Sequence, residues 1–184
     1  ATKPDLVTVG PEAVLAAGIS DRLQQDHIPC FGPSARAARI ETSKVFAKQL
    51  MARCGVPTAD FRVFDFFDDL QFFVHRVPFG DGWVVKADGL AAGKGAFVCA
   101  TVEDVLRHAR ELIVDNQLGE AGRRVVLERR LIGREASALY WCDGEHFVPL
   151  PAAQDYKQAC DGNLGPNTGG MGSYCPTPHL TPEL

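Results

Sequence analysis

The chain has 184 residues, 46% of them hydrophobic and 23% charged, with a formal net charge of −4; this composition marks a soluble globular protein able to bury a core without disulfide or metal staples. The mildly negative charge offers no electrostatic footprint for nucleic acid or an anionic membrane, and no apolar run reaches the length of a membrane span or a signal-peptide core. Six scattered cysteines (Cys30, Cys54, Cys99, Cys142, Cys160 and Cys175) form no CxxC or Cys/His grouping, and read as reduced thiols of a cytoplasmic protein.

In chain order, Asp5-Leu6-Val7-Thr8-Val9-Gly10 is an apolar run closed by glycine, the pattern of a buried parallel strand. Pro11-Glu12 opens one helical stretch with Leu15, Ile19, Arg22 and Leu23 at helical spacing, and residues 28–32 read as a second short strand. This alternation implies an α/β architecture, and two strands alone read as half of a larger domain. Pro33-Ser34 caps a short helix and Thr42-Ser43 another; the second carries Phe46, Leu50 and Met51 on one face and stops at Gly55, a left-handed C-cap. After a boundary at 56–58 come a strand over 61–64, an aromatic-rich helix over about 68–76 and a strand over 83–87. A glycine loop leads to a strand over 96–99. Thr101 then caps a helix whose core face is Val105, Leu106, Ala109, Leu112 and Ile113. A strand over 125–128 follows, and runs at 135–141 and 146–150 flank Asp143-Gly144, a strong hairpin signal. From Pro151 onward regular periodicity disappears.

Glycine is clustered where chemistry is expected. Asp88 to Gly95 holds three glycines and Gly162 to Gly172 holds five. Such density beside Lys, Asp and Asn indicates close backbone approach to a ligand. In the first cluster a strand ends in Lys86, a loop with Lys94 follows, and a second strand leaves at Ala96. Small residues let N–H groups approach phosphate oxygens while the lysines add positive charge. This is not a Walker A loop, because GxxxxGK[ST] is absent and a strand follows. A glycine-rich hairpin with surface lysines is the alternative. Next, the apolar strand ending in Glu128 is followed seven residues later by Glu135; a strand end there can present donor and acceptor to an adenine edge, and Glu135 can accept from ribose hydroxyls. Finally, Asp155 and Lys157 lie two apart and face one side of extended backbone, and Asn167-Thr168-Gly169-Gly170 offers donors and open N–H groups suited to an oxyanion or carboxylate.

Read in order, Val9-Gly10-Pro11-Glu12, Gly32-Pro33-Ser34, Ser43-Lys44, the run from Val85 to Gly95, Gln154-Asp155-Tyr156-Lys157 and the run from Gly165 to Gly172 strongly resemble the phosphoribosylamine–glycine ligase family of the ATP-grasp superfamily. The lysine-glycine loop by itself indicates ATP-grasp; the GPNTGGMG run narrows it to this ligase. The resemblance implies a partial ATP-grasp fold (α/β, or α+β) preceded by the end of a Rossmann-like pre-ATP-grasp domain, with boundaries at 1–42 and 43–184 and a lid subdomain over 58–127. It implies ATP with Mg²⁺ or Mn²⁺ as cofactor, and glycine and phosphoribosylamine as small-molecule partners. Lys44 and Lys86 would meet the phosphates; Gly89, Gly93, Lys94 and Gly95 would cover them. Glu128 and Leu131 would lie at the adenine, and Glu135 at the ribose. Gly10, Pro11 and Glu12 would face phosphoribosylamine, while Asp155, Lys157, Asn167, Thr168 and Gly169 would line the cleft where glycine and amine meet. No catalytic nucleophile is assigned, and the metal ligands are expected outside this chain.

Two departures stand out: Arg129 and Arg130 follow Glu128 where the family usually has an acidic residue, and Tyr156 takes the place of a His. The reading also implies an interior piece of a longer enzyme, weak or inactive alone, with a multifunctional parent allowed. The alternatives are another ATP-grasp carboxylate–amine ligase, or a non-catalytic nucleotide-binding module if the chain is complete.

Overall fold

The computed structural model describes residues 4–162 and 164–180, apart from the side chains of Pro166 and Asn167. They divide into two compact units. The first runs to Ala91 and resumes over Gly95–Arg130; the second comprises Ala92–Lys94 and the chain from Leu131 onward.

The first unit opens with β1 (Val7–Thr8), paired in parallel with β2 (Cys30–Phe31). The single helix expected between them is two short ones, α1 (Glu12–Ala16) and α2 (Ile19–Gln25). Gly18 breaks it: at φ 86° it is left-handed, a conformation a right-handed helix cannot continue through. α3 (Ala35–Thr42) begins where the Ser34 hydroxyl accepts from the Ala37 N–H at 3.2 Å. α4 (Lys44–Cys54) begins where Ser43 accepts from the Phe46 N–H at 3.1 Å, and stops at left-handed Gly55. Its fully buried side chains are Val45 and Ala47, whereas Phe46, Leu50 and Met51 are half-buried. The smaller residues thus occupy the tightest part of its packed surface.

A four-stranded antiparallel sheet forms the body of this unit. Its order is β3 (Phe61–Phe64), β6 (Val125–Arg129), β4 (Trp83–Ala87), β5 (Ala96–Cys99). Because side chains alternate across a strand, Trp83, Val85 and Ala87 share one face with Val125 and Leu127. On that face lie α5 (Phe67–Val74), contributing Leu70 and Val74, and α6 (Val102–Ile113), contributing Val105, Ala109 and Leu112. The Thr101 cap predicted from sequence is present, its hydroxyl accepting from the Asp104 N–H at 3.1 Å. Each fully buried Val or Leu here contributes about 1.5–3 kcal/mol of hydrophobic stabilisation. The opposite face carries Val84, Lys86, Val126 and Glu128, so β6 is buried on both sides.

In the second unit β7 (Tyr140–Cys142) and β8 (Phe147–Pro149) form the predicted hairpin, shorter than the apolar runs suggest. The Asp143 carboxylate accepts from the N–H groups of Glu145 and His146 at 2.9 and 2.7 Å, and those bonds hold its pKa down at about 2. Past Pro151, where sequence periodicity fails, the structure is regular: β9 (Gln154–Cys160) and β10 (Leu164–Tyr174) pair antiparallel. The register shifts twice, between Leu164 and Asn167 and between Asn167 and Gly172, and Gly165 and Gly170 have φ of 84° and 122°. These irregularities break the two-residue alternation by which a strand is read.

Candidate active site

The side of the first unit's sheet turned away from its hydrophobic core gathers charge. Alternation on β4 places Lys86 there, and register puts Glu128 of β6 opposite Val84, diagonal to Lys86 on the same face. Helix α4 supplies Lys44 and Lys48, four residues apart and therefore on one helical face. Glu128 is 5% exposed, and both of its oxygens are engaged: Oε1 by the Lys86 ammonium and Oε2 by that of Lys48. Burial pushes the Glu128 carboxyl up, but the hydrogen bonds and charges of Lys48 and Lys86 outweigh it and leave its pKa below the ordinary value.

Lys44 is held differently. The backbone after β4 meets the start of α4: Lys44 N–H donates to the Asp88 carbonyl at 3.0 Å. The Asp88 carboxylate accepts from the Val45 N–H at 2.9 Å and from the Ser43 hydroxyl at 2.8 Å. A carboxylate at a helix N-terminus satisfies a donor the helix leaves unpaired and meets the positive end of its dipole. The Lys44 ammonium donates to the Gly89 carbonyl at 3.2 Å and makes no ion pair among the described residues. Burial and then repulsion from Lys86 lower its pKa, against the opposing pull of Glu41, Asp88 and Glu128. A half-buried ammonium facing a second ammonium is a place for an anion. Gly89 is required by space, since a Cβ there would stand 2.8 Å from the Ala121 Cα; at Gly95 it would stand 2.7 Å from the Ala91 Cβ.

In the second unit Asp155 and Lys157 lie on one side of β9, as the spacing predicts. The Lys157 ammonium sits 3.3 Å from an oxygen of Asp155 and 3.3 Å from one of Glu135. Burial works against this ammonium, but the two carboxylates outweigh it and raise its pKa above the usual lysine value. The Thr168 hydroxyl donates to the Lys157 carbonyl at 2.9 Å and accepts from the Gly170 N–H at 3.1 Å, tying β10 to β9. The expected Glu135, Asp155, Lys157 and Thr168 are therefore brought together, and Gly169 follows them on β10. The Asn167 side chain lies outside the described residues. Gly93 and Lys94 belong to this unit, with Gly93 left-handed at φ 79° and Lys94 exposed. Leu131 stands 75% exposed in the segment after β6. Gly10, Pro11 and Glu12 are exposed at the turn from β1 into α1.

Sequence reasoning missed Lys48 and gave Asp88 no role. The one signal for Lys48 was its position a helical turn after Lys44. The two departures also find places: the Arg129 guanidinium stacks 3.8 Å over the Trp83 ring and donates to the carbonyls of Pro78 and Phe79, both at 2.8 Å. The Tyr156 ring packs against Tyr174, with centroids 5.6 Å apart.

The sequence matches the family described as phosphoribosylglycinamide synthetase, its ATP-grasp (A) domain over residues 42–184 and its N domain over residues 1–41. The chain belongs to this family. Among similar members, a phosphoribosylamine–glycine ligase of Streptococcus suis is 49% identical over 172 residues, covering 94% of this chain and 40% of that protein. The human trifunctional purine biosynthetic protein adenosine-3 is 44% identical over 182 residues, covering 99% of this chain and 18% of the other. The crystal structure of phosphoribosylamine–glycine ligase from Thermotoga maritima superposes with a TM-score of 0.74 at 36% identity, covering 96% of this chain and 42% of that one. The chain thus spans about two-fifths of the length of these single-function relatives. Within the synthetase family its fold is a partial ATP-grasp preceded by N-domain sequence.

Proposed function

We propose that the protein to which this chain belongs joins glycine to 5-phosphoribosylamine at the expense of ATP, giving glycinamide ribonucleotide, ADP and phosphate, as a cytoplasmic step of purine biosynthesis. The observation that carries the reading is the pairing of a synthetase-family sequence with two ammonium groups, Lys44 and Lys86, at the edge of a glycine-bearing strand end. In this reading a carboxylate oxygen of glycine attacks the γ-phosphorus and ADP leaves. The amine nitrogen of phosphoribosylamine then attacks the acyl carbon of the glycyl phosphate, phosphate leaves, and the nitrogen sheds a proton.

Both displacements gather negative charge on phosphoryl oxygens. Lys44 and Lys86 neutralise it, the Lys44 ammonium being held at the Gly89 carbonyl. Gly93, Lys94 and Gly95 serve as cover that keeps water from the acyl phosphate, and the backbone of the strand end at Glu128, with Leu131, lies near the adenine, with Glu135 at the ribose. Asp155, Lys157, Asn167, Thr168 and Gly169 receive glycine and the amine, and Gly10, Pro11 and Glu12 face phosphoribosylamine. A divalent cation would add further charge neutralisation. Among the described residues no group of three or more His, Cys, Asp or Glu is gathered to hold one, so no step is assigned to it. The trifunctional name of the human relative makes a multifunctional parent compatible with the same reading.

The test is phosphate release by the complete enzyme. Release that requires ATP, glycine and phosphoribosylamine together is the expected result. ATP turnover driven by a different carboxylate or amine would replace this reading with another ATP-grasp ligase, and nucleotide binding without turnover would leave a binding module.

A further inference from the structure

Lys48 stands outside the phosphate-facing pair, yet it is the best-anchored lysine of the cluster. Its side chain is 12% exposed. The ammonium pairs with Glu128 Oε2, donates to the Thr58 hydroxyl at 2.7 Å and lies 5.7 Å from the centre of the Phe61 ring. Its donors are directed at protein atoms, unlike Lys44, whose ammonium meets only a backbone carbonyl among the described residues. Glu128 is the shared partner: buried on the central strand β6, it takes Lys48 from the helix on one oxygen and Lys86 from β4 on the other.

The charges explain why two lysines are needed. Glu128 and Lys86 alone would be a neutral pair, and the carboxylate would cancel much of the field that Lys86 offers an incoming phosphate. With Lys48 added, the group of three carries +1, and the carboxylate is held from both sides so that Lys86 is fixed at the end of its strand. A buried carboxylate with one partner removed leaves charge poorly compensated, a costly arrangement. We propose that Lys48 is a positioning residue for nucleotide binding: through Glu128 it orients Lys86 and preserves the net positive charge that Lys86 presents to the phosphates. This rests on the ATP-dependent reading above but assigns a role to a residue that need not touch ATP.

The experiment measures ATP binding and steady-state kinetics on the complete enzyme carrying Lys48→Met, Lys48→Arg, Glu128→Gln or the double change Lys48→Met with Glu128→Gln. The single Lys48→Met variant is expected to weaken ATP binding by about tenfold, the scale of a lost charge-assisted interaction, and to raise KM for ATP more than it lowers kcat. Lys48→Arg should recover most of the loss, because the charge and a donor to Glu128 return. The double variant should bind ATP better than Lys48→Met, because removing both charges returns the site to +1. A double variant as weak as Lys48→Met, or weaker, overturns the proposal, since loss of packing would then account for the effect. Unchanged ATP binding in Lys48→Met also overturns it. Thermal unfolding of each variant identifies any that fail to fold, and the Arg and double variants decide the matter if Lys48→Met does. Absence of ATP binding by the unmodified enzyme is a separate outcome: it refutes the ATP-dependent reading and, with it, any role for Lys48 in nucleotide binding.

Discussion

A lysine that bears burial and like-charge repulsion beside another lysine has its charge compensated best when an anion arrives. For Lys44 this fixes the sign of a pH effect. Burial and Lys86 lower its pKa, so it loses its proton below the ordinary lysine range, and phosphate binds the protonated form more tightly. ATP affinity should therefore fall as pH rises from neutral through that lowered value. The Lys44→Met variant should bind ATP about tenfold more weakly at neutral pH and show a flatter alkaline limb, measured by titration calorimetry across the range up to pH of about 10. A variant that keeps the same alkaline limb would move the titration to another group. Lys44 and Lys86 were legible in the sequence because each lies in a short local motif. Lys48 was not, because its meaning is a contact with Glu128 across distant parts of the chain, and a lysine in a helix without such a contact is simply a solvated side chain. Arg129 was legible only as a departure; its hold on the Pro78 and Phe79 carbonyls comes from β6 lying beside β4.

At the level of elements, caps and strands were read where the chemistry is local. Ser34, Ser43 and Thr101 accept the N–H groups expected of them, and the four strands of the first unit's sheet fall where their apolar runs lie. The misreadings have a common cause, which is that periodicity reports side chains but backbone torsion sets continuity. Gly18 leaves the pattern of a single helix intact while its φ of 86° divides it, and β10 is a real strand whose glycines erase alternation. Space at a glycine is likewise invisible in sequence. At Gly89 a side chain would meet the Ala121 backbone at 2.8 Å, while at Gly133 it would meet nothing within 4 Å. Gly89→Val should thus destabilise the protein by about 1–3 kcal/mol through overpacking, whereas Gly133→Ala should stay within about 0.5 kcal/mol. Urea unfolding midpoints compare the two, and equal midpoints would mean that the strand end at Gly89 yields to a side chain freely.

For the whole molecule the informative feature is where the chain passes from one compact unit to the other. It does so around Ala92–Lys94, inside the glycine-dense run from Asp88 to Gly95, and again after Arg130, where no comparable cluster marks the place. Both passages present a basic residue to solvent: Lys94 follows left-handed Ala92 and Gly93, and Arg130 precedes Leu131 and Ile132, which are 75% and 73% exposed. Tryptic bonds inside the sheet are protected differently. Lys86 is engaged by Glu128 and its backbone lies in the β4 ladders, while Arg129 is stacked on Trp83 and bonded to two carbonyls. A protease needs several residues of extended, unpaired backbone, so cleavage follows the free energy of local opening rather than the number of basic residues. Brief trypsin digestion should cut first after Lys94 and Arg134, and mass spectrometry should find Lys86 and Arg129 bonds intact in the early products. Early cleavage after Lys86 would show that the sheet opens as readily as the crossings, and the division into two cooperative units would then be wrong.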